Sequence, residues 1–238
     1  MANSITKHIP NAITCCNLIS GCIAIAYALR EHYSMALLLI IIGAIFDFFD
    51  GLTARALHVS NGIGKELDSL ADVVTFGVAP ASMVFAVCSC KYVQYPEFLG
   101  VASYFIPYLA FLLAAFSALR LAKFNLDTRQ TTSFIGLPTP ANALFWASLI
   151  VAYQPVFYSS AANYWGLVLL VGVFVFCYFL VAEFPMFALK FKDLSWQNNK
   201  IKYIFVAVCV ILLAILGVSG IAASIVWYLV LSAFTQNK

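Results

Sequence analysis

Met35-Ala36-Leu37-Leu38-Leu39-Ile40-Ile41-Ile42-Gly43-Ala44-Ile45-Phe46-Asp47-Phe48-Phe49-Asp50-Gly51-Leu52-Thr53-Ala54-Arg55 is an uncharged apolar run that ends in two carboxylates and an arginine. A segment of this length whose first twelve residues carry no charge is a bilayer-spanning helix by composition. Asp47 and Asp50 fall where the apolar pattern should still continue, and an unpaired carboxylate in lipid costs several kcal/mol. They must therefore face a polar interior rather than acyl chains.

The rest of the chain agrees with a membrane setting. Of 238 residues, 63% are hydrophobic and 10% charged, more apolar surface than a soluble core of this length could hide. Apolar segments are expected at 12–29, 34–54, 67–90, 101–119, 138–153 and 163–182. The stretch 203–234 is too long for one span, and Gly217, Ser219 and Gly220 interrupt it where a helical hairpin could turn. This reading gives an all-α membrane bundle of eight transmembrane helices, forming one domain over residues 1–238. The stretch after Lys7 is read as a retained first helix rather than a cleaved leader.

Placing the N-terminus in the cytoplasm puts eleven of the thirteen Lys and Arg residues on that side, leaving only Arg30 and Lys91 outside. That asymmetry is the positive-inside pattern, and with eight spans both termini are cytoplasmic. The basic residues form no stripe suited to nucleic acid, so none is expected as a partner. Cys15, Cys16, Cys22, Cys177 and Cys209 lie in apolar runs and are expected to be buried free thiols. Cys88 and Cys90, like the three histidines, have no ligand-like spacing.

At about 100° per residue, Asp47 and Asp50 lie about 60° apart around their helix, and Asp68 and Asp72 about 40° apart on the next. The two helices run antiparallel through a short connection, so all four carboxylates can meet at one end. Clustered oxygen anions require a hard cation such as Mg²⁺, Mn²⁺ or Ca²⁺, and Mg²⁺ commonly shares its shell with a substrate phosphate. Asn11, Thr14 and Asn17 recur at three-residue intervals on the first helix, where they suit hydrogen bonds to a nucleotide or to neighbouring helices.

The full pattern Asp47-x2-Asp50-Gly51-x2-Ala54-Arg55-x8-Gly64-x3-Asp68-x3-Asp72 resembles the signature of the CDP-alcohol phosphatidyltransferase family, with every position present. The resemblance implies a reaction in which an alcohol attacks the β-phosphate of a CDP-linked lipid and CMP departs. It implies Asp47, Asp50, Asp68 and Asp72 as ligands of one or two Mg²⁺ or Mn²⁺ ions, with Asp72 also the general base. Gly51, Ala54, Arg55 and Gly64, with Asn11, Thr14 and Asn17, would form the nucleotide side. It also implies a homodimer among membrane lipid.

Three further segments are similar to the phosphatidylserine synthase branch of that family. These are Ile9-Pro10-Asn11-Ala12-Ile13-Thr14-Cys15-Cys16-Asn17-Leu18, then Arg120-Leu121-Ala122-Lys123-Phe124-Asn125 with Phe134-Ile135-Gly136-Leu137-Pro138-Thr139-Pro140-Ala141, and, more weakly, Pro185-Met186-Phe187-x-Leu189-Lys190. The likeness implies CDP-diacylglycerol and L-serine as substrates and a bacterial cytoplasmic membrane with the site facing the cytoplasm. Lys123 departs from the arginine that the branch often carries, exchanging a bidentate fork for a flexible point charge. Arg120, Lys123 or Arg129 could hold the acceptor's anionic group, Arg120 being the first choice. Glycerol 3-phosphate or inositol as acceptor remains an alternative, and a secondary transporter a distant one: its acids would lie near mid-membrane and its halves would repeat.

Overall fold

The computed structural model describes residues 8–58, 62–127, 134–159, 164–186 and 195–235. Two antiparallel helices, α1 (Ile9–Ala28) and α2 (Tyr33–Ala56), open the chain. Pro10 falls in the first turn of α1, where its missing N–H removes a donor that has no helical partner. Thr14, Asn17, Gly21, Ala24 and Ala28 are buried along α1 at alternating intervals of three and four residues. That spacing gives one narrow stripe, and its small side chains let neighbouring backbones approach closely. α1 packs on α2, on α3 (Gly62–Asp72) and on the residues that follow α3.

The third expected span is a continuous rod, longer than the sequence suggested and not α-helical throughout. It runs from α3 through a π-helical stretch, Val73–Val78, into α4 (Ala79–Cys88). The Ala79 N–H bonds to the carbonyl of Val74, five residues back. Pro80 follows at once and has no N–H to give to the preceding turn, so the wider turn lies where regular α-helix would break. Inside it, the Thr75 hydroxyl donates to the Asn17 carbonyl at 3.0 Å. A Cβ on Gly21 would collide with the Thr75 backbone, and one on Gly43 would lie 2.5 Å from the Thr75 methyl. Both glycines are there for close approach of α1 and α2 to this turn.

The fourth segment also differs from expectation. Residues Glu97–Tyr104 and Ile106–Phe111 are 3-10 helix, and α5 proper is Leu112–Leu126. α6 (Thr139–Phe157) and α7 (Trp165–Val181) follow, and their rings stack through Phe145 and Phe176 at 4.1 Å between centroids. The hairpin expected at residues 217–220 is present. α8 (Trp196–Leu216) and α9 (Ser219–Thr235) are joined at Gly217, whose φ is +57°. α9 packs on α6 as well as on α8.

Among the described residues, five helical stretches are long and apolar enough to cross a membrane: Ile9–Ala28, Tyr33–Ala56, Gly62–Cys88, Ile106–Leu126 and Asn199–Leu216; Trp165–Val181 and Ser219–Phe234 are shorter apolar helices. Ile19, Leu38, Val171, Tyr178 and Ile215 point outward, and such apolar surface on many helices is that of an integral membrane protein. Cys177 is buried as expected, but Cys15, Cys16 and Cys22 are exposed on α1, whose buried stripe is taken by smaller and polar residues; all seven cysteines are free.

The strand content among the described residues is one short pairing. β1 (Phe134–Ile135) runs antiparallel to β2 (Pro185–Met186). Gly136 then turns with φ +76°, and a Cβ there would lie 2.8 Å from the Leu180 carbonyl. This pairing ties the segment before α6 to the segment after α7.

Candidate metal and substrate site

The C-terminal end of α2, the N-terminal end of α1 and the start of the third rod come together at one end of the bundle. Asp47, Asp50 and Asp68 each offer a carboxylate oxygen, and the three oxygens lie within 4.8 Å of one another. Asp50 is buried and accepts a hydrogen bond from the Thr14 hydroxyl at 2.6 Å. Asp68 Oδ1 is buried without a hydrogen-bond partner. Three carboxylate oxygens close enough to share one ion, beside an unmet acceptor on Asp68, fit a hard cation held by oxygen ligands. Asp47, Asp50 and Asp68 could therefore hold a divalent metal.

Asp72 stands apart from this trio. Four residues along a helix advance about 6 Å, so it sits one turn deeper than Asp68. It remains close enough to Asp47 and Asp68 for their charges to interact. Asp72 is buried, and its Oδ1 accepts from Asn17 Nδ2 at 3.2 Å. Asn17 Oδ1 is buried and unpartnered, leaving an acceptor facing this side of α1.

The sequence placed Thr14 and Asn17 on a nucleotide or interhelical face; the structure gives them the carboxylates as partners. What the spacing of α1 lacked was any statement of which helix it would meet. Asn11 lies beside Gly64, whose Cβ would come within 3.0 Å of Asn11 Oδ1. A Cβ on Gly51 would meet nothing within 4 Å, so open space borders the carboxylates there. Arg55 is exposed near Ala54, its Nε donating to the Gly51 carbonyl at 3.0 Å.

α5 returns to the same end of the bundle. Asn125 Nδ2 donates to Ser69 Oγ at 2.7 Å, and Lys65 Nζ donates to the Asn125 carbonyl at 3.0 Å. One turn inward, Arg120 is buried, with Nε unpartnered, and its guanidinium feels the charge of Asp72. Lys123 is exposed beside a cavity that Arg120 also lines. Arg129 lies outside the described residues.

With this geometry in place, comparison with known proteins gives a consistent result. The model of the CDP-alcohol phosphatidyltransferase family matches residues 7–178, and the chain belongs to that family. A CDP-diacylglycerol–serine O-phosphatidyltransferase of Bacillus subtilis is 36% identical over 154 residues, 63% of this chain and 79% of that protein. Proteins of the same name from Helicobacter pylori strain J99 (36% identity, 57% of this chain) and Saccharomyces cerevisiae (35%, 56%) are also similar. The match spans about half the length of these last two, 54% and 50% respectively. The family is metal-dependent, which agrees with the acidic trio.

Proposed function

We propose that this protein transfers a phosphatidyl group from CDP-diacylglycerol to the hydroxyl of L-serine, releasing CMP. Four aspartates of the family signature on two antiparallel helix ends carry this reading, and three of them form the oxygen cluster. Similarity to serine O-phosphatidyltransferases of bacteria and yeast supports serine as the acceptor.

Asp47, Asp50 and Asp68 would hold Mg²⁺ or Mn²⁺, with Asp72 as a further ligand. A bound divalent ion neutralises pyrophosphate charge as CMP departs. Thr14 fixes the Asp50 carboxylate by its short hydrogen bond, and Asn17 does the same for Asp72. Gly51 leaves room for the cytidine diphosphate, flanked by Ala54, Arg55, Gly64 and Asn11. The serine oxygen attacks the β-phosphorus in line, its proton passes to the Asp72 carboxylate, and the bond to the CMP oxygen breaks. Arg120 draws the serine carboxylate toward Asp72 by charge, with Lys123 lining the same cavity and Arg129 a further candidate from the sequence alone.

The reading places eight spans across a bacterial cytoplasmic membrane, with both termini and the site on the cytoplasmic side. All of residues 1–238 form one domain, working as a homodimer in lipid. The positive-inside distribution supports the orientation, and the packing of α9 on α6 supports including the C-terminal hairpin in that domain.

The test is CMP release by purified protein with CDP-diacylglycerol and Mg²⁺ or Mn²⁺, L-serine, glycerol 3-phosphate and inositol being supplied singly. Release with serine alone is expected. Release with another acceptor alone keeps the chemistry and overturns the acceptor.

A further inference from the structure

A cavity of about 400 Å³ opens where α5 and α7 end, lined among others by Arg120, Lys123, Asp127, Ile135, Leu180 and Glu183. Its polar lining carries both signs of charge. Arg120 is 6% exposed, and its buried Nε has no hydrogen-bond partner, so a buried cation lacks one of the acceptors its fork demands. The Asp72 carboxylate lies within electrostatic range of this guanidinium.

The two carboxylates stand on a different structural footing. Asp127 is the C-cap of α5, and Glu183 lies two residues beyond the end of α7. Helix C-termini carry the negative end of the macrodipole, so an acidic residue there is on the unfavourable side. Two such placements border the cavity that Arg120 and Lys123 also line, so acidic and basic side chains face one space. A phosphorylated polyol would meet repulsion from the carboxylates, and a neutral polyol would gain hydrogen bonds but no charge pairing at either pole. A zwitterion satisfies both.

We propose that this cavity selects a zwitterionic hydroxy amino acid, Arg120 taking its α-carboxylate and Asp127 with Glu183 taking its α-ammonium. This assignment rests on the serine-acceptor reading and adds the half of the site that recognises the amino group. The rival role for Asp127 and Glu183, both of which already take part in other interactions, is purely structural.

The experiment compares wild type, Asp127→Asn, Glu183→Gln and the double variant with L-serine and with 3-hydroxypropionate, which is serine without its amino group. Each single variant should raise KM for L-serine roughly tenfold, with kcat changed less than about threefold and KM for CDP-diacylglycerol unchanged. The double variant should lose most of the preference for L-serine over 3-hydroxypropionate, and Glu183→Asp should recover part of it. Detergent melting controls for folding. An unchanged KM for serine in a folded double variant would overturn the assignment, as would equal losses with both acceptors. Wild type that ignores serine but uses another acceptor would overturn the functional reading first, and this one with it.

Discussion

Thr14→Val isolates the hydrogen bond that orients Asp50, a proposed metal ligand. Thr14 is buried and its hydroxyl lies 2.6 Å from Asp50 Oδ2, with the Pro10 carbonyl at 3.0 Å as a second acceptor. One hydroxyl has one proton, and the shorter contact to the anion takes it. Valine replaces the hydroxyl by a methyl of similar volume, so the packing of α1 changes little. A hydrogen bond to a charged group contributes about 1.5–3 kcal/mol, and about 1.4 kcal/mol is a factor of ten in affinity. Loss of a partner that orients a metal ligand typically weakens metal affinity roughly ten- to a hundredfold. The assay is CMP release titrated with Mg²⁺ at saturating substrates, alongside melting in detergent. The half-saturating Mg²⁺ concentration should rise by that factor, with turnover at saturating Mg²⁺ near wild type. An unchanged Mg²⁺ requirement in a folded variant would refute the claim that Thr14 positions Asp50.

Asp72→Asn should lower turnover roughly 10²–10⁴-fold, the usual contribution of a general base, while melting stays near wild type; turnover within a few-fold of wild type would remove Asp72 from that role. Gly43→Leu should lower the melting temperature, because its Cβ would press on the Thr75 methyl at 2.5 Å and Asn17 Oδ1 at 2.9 Å, an overpacking cost of about 1–3 kcal/mol. Gly51→Leu is the converse test: the structure has open space around its Cβ, so melting should hold while KM for CDP-diacylglycerol rises, and an unchanged KM would place the nucleotide elsewhere.

Much of the site was legible because helical periodicity fixes angles around one axis. The Asp47–Asp50 and Asp68–Asp72 pairs each had to share a face, and Asp47, Asp50 and Asp68 do converge. The same helical rise puts Asp72 one turn deeper than Asp68, outside the trio, so sharing a face did not bring all four carboxylates to one point. It is also silent on partners: the polar stripe of α1 was plain, but only folding shows that Thr14 meets Asp50 and Asn17 meets Asp72. The π-helical turn at Val73–Val78 left one clue in Pro80 and could not be located from it, since proline at a helix start is common. The hairpin at Gly217 was legible because glycine with positive φ ends helices at little cost. Phe134–Ile135 and Pro185–Met186 stood out as segments but carried no signal that they pair.

The central claim is attack by the serine hydroxyl on the lipid-linked phosphate. L-Serine carrying a heavy-oxygen label in its hydroxyl would be incubated with purified protein, CDP-diacylglycerol and Mg²⁺, and lipid and nucleotide products weighed by mass spectrometry. The account predicts labelled phosphatidylserine and unlabelled CMP in equal amounts. CMP formed without labelled phosphatidylserine would contradict it.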